Sequence, residues 1–350
     1  DILASRLDGH PALQTHVDAF ARTLRHRPRV ANHWPPPDRP DPALLRSIHT
    51  GHRYGVRRLH MSPDGAWLAH TGPAGDPVVR LWDPVAGHQR FRLETDHRDG
   101  VAAVCVAPDG AWLATVGFAG DPVVQVWDPA TGRRRLRIDT GHRHGIGGLH
   151  VSPDGAWLAT TGVIGYLADG GDAVVRVWDP VTGDRRCQFD TGHRRGVAGV
   201  HVAPDGGWLA TVGFAGDPVV RLWGPTTGEQ RLRIETGHRG GVGGVAVAPD
   251  GAWLATVGLA GDPVVRVWST ATGERRHELD TGHPRGVGDV RVSPDGGWLA
   301  TTGRAGDPVV RIWDPVTGEL RRRLDTGHAH GVGGVSLSPD GTRLVTTGHT

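Results

Sequence analysis

The side chains with most chemistry to offer in this sequence are twenty-one histidines and thirty-nine arginines. Imidazole is a common zinc ligand. His142 with His144 and His328 with His330 form His-x-His pairs. His60, His150 and His201 share one register on equivalent segments, with Cys105 and Arg291 at that register elsewhere. Imidazoles converging there on a central channel would make a zinc site. Composition excludes other chemistry: the chain has no lysine, which P-loop, Schiff-base and protein-kinase mechanisms require. Neither a Gly-x-Ser-x-Gly elbow nor a His-Glu-x-x-His pair occurs. Glycine-rich segments such as Gly241–Val245 recur with no helical pattern after them. They read as strands crowded against an axis, where glycine lets backbones approach, rather than as a phosphate cradle. No cofactor is called for.

Arginines follow most of the recurrent Gly-His pairs: Arg53, Arg98, Arg143, Arg194, Arg195, Arg239 and Arg285. Acids stand just before them, at Glu94, Asp139, Asp190, Glu235, Asp280 and Asp325, and the formal charge is only +2. A solvated, charge-balanced rim fits this better than a nucleic-acid track, which needs a basic patch with interleaved aromatics. Cys105 and Cys187 read as reduced core residues. With no run of eighteen apolar residues, a soluble protein with a cytoplasmic address and no membrane partner is expected.

Self-similarity decides which elements carry these residues. Gly-His, or Asp-His, recurs at 51, 96, 141, 192, 237, 282 and 327, every 45 residues except for one interval of 51. Each period reads as four short strands: in the second, Val101–Ala107, Trp112–Val116, Pro122–Trp127 and Arg134–Ile138. Turns such as Pro108-Asp109-Gly110 separate them, since proline presets φ while Asp and Gly tolerate hairpin conformations. From Gly51 onward the chain has no helical periodicity and is expected to be all-β. Twelve of the thirteen tryptophans keep fixed places in the repeat, in two columns that begin at Trp67 and Trp82. One such unit cannot bury both faces alone, whereas units stacked around an axis can.

Gly-His opening each unit, Ser-Pro-Asp-Gly in the first hairpin and Trp-Asp closing the third strand resemble the WD-repeat family. The likeness implies a seven-bladed β-propeller over residues 43–350, with six complete blades and a partial seventh. It also implies a buried tetrad of the Gly-His histidine, a second-strand Ser/Thr, the third-strand Trp and an Asp before that strand. Carried over, these are His97, Thr115, Asp121 and Trp127 in the second unit and His193, Thr211, Asp217 and Trp223 in the fourth. Three departures stand out. The loop from Thr115 to Asp121 is longer than the family's usual turn, Trp-Asp becomes Trp223-Gly224 and Trp268-Ser269, and the first unit has His70 at the threonine position.

Residues 1–42 do not repeat. Leu13, Val17, Phe20 and Leu24 predict an amphipathic helix over roughly Pro11–His26, and Pro35-Pro36-Pro37 with Pro40 and Pro42 predicts a stiff linker. This reads as the helical tail of an upstream region, so the chain is expected to be cut from a larger protein. The GC-rich residue bias and the resemblance of the architecture to nucleotide-switch proteins point to bacterial signalling.

The loop before the third strand varies while its surroundings hardly change. It carries Pro73, Phe118, Phe214, Leu259 and Arg304 in different units, and the third unit inserts six residues around Tyr166. In the family this loop shares one disc face with the loop that holds Tyr54. Tyr54, Phe118, Tyr166, Phe214, Leu259 and Arg304 are therefore the candidate partner-binding residues, because aromatics flanked by arginine make protein-binding hot spots. The competing view has these side chains folding over neighbouring units to cap the core. The functional expectation is a non-catalytic recognition scaffold for a protein or peptide. A structural spacer or assembly hub and an enzyme with a channel-centred metal are the alternatives. The incomplete seventh unit would leave an open edge that invites a dimer.

Overall fold

The computed structural model describes residues 47, 48, 50, 51, 55–118, 120–163, 172–214, 216–259, 261–304 and 306–349. The expected N-terminal helix and linker lie outside the described residues, as do Tyr54 and Tyr166. All the described strands fall within one compact unit, Thr50–Thr350. They form six four-stranded antiparallel sheets and one two-stranded sheet, each ordered as in the chain. Among the described residues there is no helix.

In the second sheet the strands run Val101–Val106, Leu113–Gly117, Val123–Trp127 and Arg134–Asp139. The hairpin between the first two closes because Asp109 Oδ1 accepts the Ala111 N–H at 2.9 Å and Gly110 takes a φ of 71°. Such Asx turns let a short side chain stand in for a backbone acceptor. The pairing register shifts between Val101 and Ala103, which is a β-bulge. A bulge breaks strict alternation, so Val101 and Val104 are both fully buried although three residues apart. The shift recurs between Val197 and Gly199, Val242 and Gly244, and Val287 and Asp289.

Each main core cluster straddles two consecutive sheets. Trp112, Ala114, Val116, Val124, Val126 and Ile138 of the second pack against Ile146, Leu149, Leu158 and Trp178 of the third. The same pattern joins the first sheet to the second through Trp67 and Trp127, and the fifth to the sixth through Trp253 and Trp313. One tryptophan column thus faces forward and the other backward, so neither sheet of a pair has a dry core alone. Backbone bonds reinforce the stacking. Val101 N–H donates to Asp76 O at 3.2 Å, Ile146 to Asp121 O at 3.2 Å and Val242 to Asp217 O at 3.1 Å. Each ties the loop before one unit's third strand to the next unit's first strand.

The seventh sheet consists of Val332–Leu337 and Leu344–Gly348. Leu324 of the sixth sheet is 37% exposed, whereas its equivalents Leu93, Ile234 and Leu279 are at most 2% exposed. Among the described residues the adjoining sheet has two strands, and neither covers Leu324 as a third strand covers its equivalents. Val345, on the edge strand, is exposed too. The architecture is propeller-like.

A candidate binding face over a buried polar network

Beneath one face lies a repeated chain of polar contacts. In the second unit Trp127 Nε1–H donates to Thr115 Oγ1 at 3.2 Å. Thr115 Oγ1 lies 3.1 Å from His97 Nε2, and His97 Nδ1 lies 2.5 Å from Asp121 Oδ2. The fourth unit repeats it with Trp223, Thr211, His193 and Asp217 at 3.0, 3.0 and 2.7 Å. Equivalent sets hold in the third, fifth and sixth units, built on His142, His238 and His283. The third does so across its six-residue insertion, with His142 Nδ1 2.6 Å from Asp172 Oδ2. In the first unit Trp82 Nε1–H donates directly to His70 Nε2 at 2.6 Å.

One proton arrangement satisfies every member. The threonine hydroxyl accepts from the indole and donates to Nε2, and the neutral imidazole's Nδ1–H donates to the carboxylate. The titration directions agree with it. Burial, opposed by the hydrogen bond to aspartate, lowers the pKa values of His193, His238 and His283. Burial works to raise Asp262 and Asp307, yet the histidine hydrogen bond and a backbone N–H hold both below the usual carboxylate value. The second Asp oxygen also starts the third strand, as when Asp217 Oδ1 accepts Val219 N–H at 3.0 Å.

The tetrad motif does not include an arginine that adjoins the network in most units. Arg176, Arg221, Arg266 and Arg311 stand directly across from the network threonines on the third strand. Each places its Nη1 within 2.5–2.8 Å of the histidine Nδ1. That nitrogen already donates to aspartate, so the attraction is Coulombic, toward a carboxylate oxygen 3.4–3.9 Å away. The second unit has Gln125 there. The recurrence of arginine at this repeat position was a usable sequence signal, but its meaning depends on a cross-strand register visible only in the folded sheet.

Phe118, Phe214 and Leu259 occupy equivalent loop positions and are half-buried, and Arg304 is exposed. Phe118 carries the Arg57 guanidinium 4.5 Å above its ring, so part of its surface is covered by the preceding unit. Leu259 lies over Gly243, where an added Cβ would come within 3.3 Å of its methyl carbon. Phe214 lines an open pocket of about 500 Å³ with Gly192, Arg194, Arg195, Asp217, Arg221 and Arg233. The structure thus brings Phe214 together with loop arginines. It leaves Phe118 and Leu259 partly occupied by their own neighbours.

Among the described residues no three His, Cys, Asp or Glu side chains are grouped to hold a metal. Burial, then the charge of His201, pushes His150 down to about 4. Arg291 adds to the burial that lowers His201. Cys105 and Cys187 are free thiols donating to Leu149 O and Pro225 O at 3.3 and 3.1 Å, and burial raises Cys105 to about 11.

Comparison with known proteins matches the WD domain, G-beta repeat model to seven segments: 44–83, 89–128, 133–179, 185–224, 229–269, 273–314 and 318–349. A stretch of 54 residues is 43% identical to the ribosome biogenesis protein ERB1 of Debaryomyces hansenii. It covers 15% of this chain and 6% of that protein.

Proposed function

The chain belongs to the WD domain, G-beta repeat family, and from that membership we propose that it is a non-catalytic recognition scaffold binding a protein or peptide on one face. WD-repeat domains generally mediate protein–protein interaction and scaffolding. The observation that carries the reading is the pocket in which Phe214 meets Arg194 and Arg195, an aromatic beside guanidiniums being a typical hot-spot composition. The remaining face residues are Tyr54, Phe118, Tyr166, Leu259 and Arg304. The finer placement, as the sensor of a larger cytoplasmic bacterial signalling protein, draws on residue bias and architecture.

Alanine at Tyr166, Phe118 and Phe214 together is expected to abolish partner capture by the parent protein while leaving the thermal midpoint nearly unchanged. Retained capture would remove the face from consideration and leave the spacer or hub reading.

A further inference from the structure

We propose that the pocket of the fourth unit binds an oxyanion, carboxylate or phosphate, presented by an acidic segment of a polypeptide. This deepens the face-binding reading and rests on it.

Four guanidiniums line this pocket, those of Arg194, Arg195, Arg221 and Arg233. Arg194 and Arg195 are exposed and have no hydrogen-bond or ion-pair partner among the described residues. Arg221 and Arg233 are direct cross-strand partners, and like charges placed so oppose each other. Burial first, and Arg233 as well, lower the Arg221 pKa against the pull of Asp217, Glu235 and Asp190. The carboxylate in the pocket is already engaged, since Asp217 accepts from His193 and from Val219 N–H. Glu235 pairs with Arg233. The positive charge of Arg194 and Arg195 is left for an incoming group.

The repeat supplies its own controls. At the same positions the third unit has Gln188, whose Oε1 accepts from Arg176 Nε at 3.1 Å. The fifth has Glu278, which pairs with Arg266 at 3.1 Å, and Gly240 in place of Arg195. The second substitutes Asp99 and Gln125, and the sixth Pro284. Units otherwise nearly identical thus neutralise or omit what the fourth concentrates. Guanidinium forks match oxyanions through paired N–H donors. Phe214 on the pocket wall suits the aliphatic part of an acidic side chain.

The test is fluorescence anisotropy with the full chain and four probes: a labelled oligo-aspartate peptide, a phosphoserine peptide, its unphosphorylated twin and a single-stranded oligonucleotide. Arg194→Glu with Arg195→Glu is expected to weaken oligo-aspartate or phosphopeptide binding at least about tenfold, the loss of roughly one charge-assisted hydrogen bond. Arg239→Glu in the fifth unit is expected to change it little, and added salt to weaken it. Preference for the phosphopeptide over its twin assigns the anion to phosphate; preference for oligo-aspartate assigns it to carboxylate. Equal losses from both variants, no binding of either acidic peptide, or tighter binding of the oligonucleotide overturns the proposal. Partner capture with Phe118→Ala separates the two readings. A partner lost with Phe118→Ala but kept by the double arginine variant sinks the pocket and spares the face; one kept by both sinks the face.

Discussion

Thr211 Oγ1 joins two buried rings, accepting from Trp223 and lying 3.0 Å from His193 Nε2. Valine is close to its shape but offers neither donor nor acceptor. Thr211→Val is therefore expected to cost about 1–3 kcal/mol, since an indole N–H and an imidazole nitrogen lose their partner where water cannot replace it. A sharp control lies in the first unit. Thr71 is fully buried, yet its Oγ1 has no partner among the described residues, so Thr71→Val is expected to be neutral or stabilising. Urea midpoints of the two variants check both, and equal costs would show that the network hydroxyl contributes nothing beyond its volume. The residues of this network were legible through the resemblance to WD repeats, whose tetrad motif could be carried over position by position. The adjoining arginines were not, because nothing in the linear pattern says that Arg221 lies across from Thr211.

The element most clearly tuned by single residues is the turn after the third strand. Asp83, Asp128, Asp179 and Asp314 each accept backbone N–H groups two and three residues on. They also pair with a fourth-strand arginine, as Asp314 does with Arg321 at 2.6 Å. A backbone hydrogen bond and then Arg90 hold Asp83 down to about 2, and Arg321 and then the backbone hydrogen bonds do the same for Asp314. Gly224 breaks the pattern, and its turn is closed without an Asp carboxylate, by Gly228 N–H to Gly224 O at 2.8 Å and Glu229 N–H to Thr227 Oγ1 at 3.2 Å. An added Cβ would meet only the Thr227 hydroxyl closely, with Arg231 at 3.5 Å. Gly224→Asp is therefore expected to raise stability by about 0.5–1 kcal/mol, from lost unfolded-state freedom as well as the restored turn bonds. Calorimetry checks it, and an unchanged or lowered midpoint would show that this turn has settled on a different geometry. Strand order and turns were readable to within a residue. The bulge after Val101 was not, because its buried pair at Val101 and Val104 imitates neither alternation nor a helix face.

Across the described residues, six histidines, three of them in the tetrads, link stability to protons in one direction. His60, His150, His193, His201, His238 and His283 all have pKa values lowered, chiefly by burial. A histidine lowered in the folded state binds its proton first in the unfolded chain, so stability falls as pH drops through the unfolded value near 6.5. For His150 the loss continues to about 4. Asp172, Asp262 and Asp307 are depressed, so their contribution is present above the ordinary carboxylate value and disappears only at still lower pH. Both classes destabilise on acidification, in successive windows, and nothing in the network pulls the other way. Denaturation midpoints are expected to be level above about pH 7 and to fall steadily below about pH 6.5. His150→Gln should flatten the part of the slope nearest pH 5, because it removes the most strongly lowered group without touching the tetrads. A midpoint that rises between about pH 7 and about pH 5 would mean that the buried pairs bind protons on folding. The neutral-imidazole arrangement joining each tryptophan to its aspartate would then be wrong.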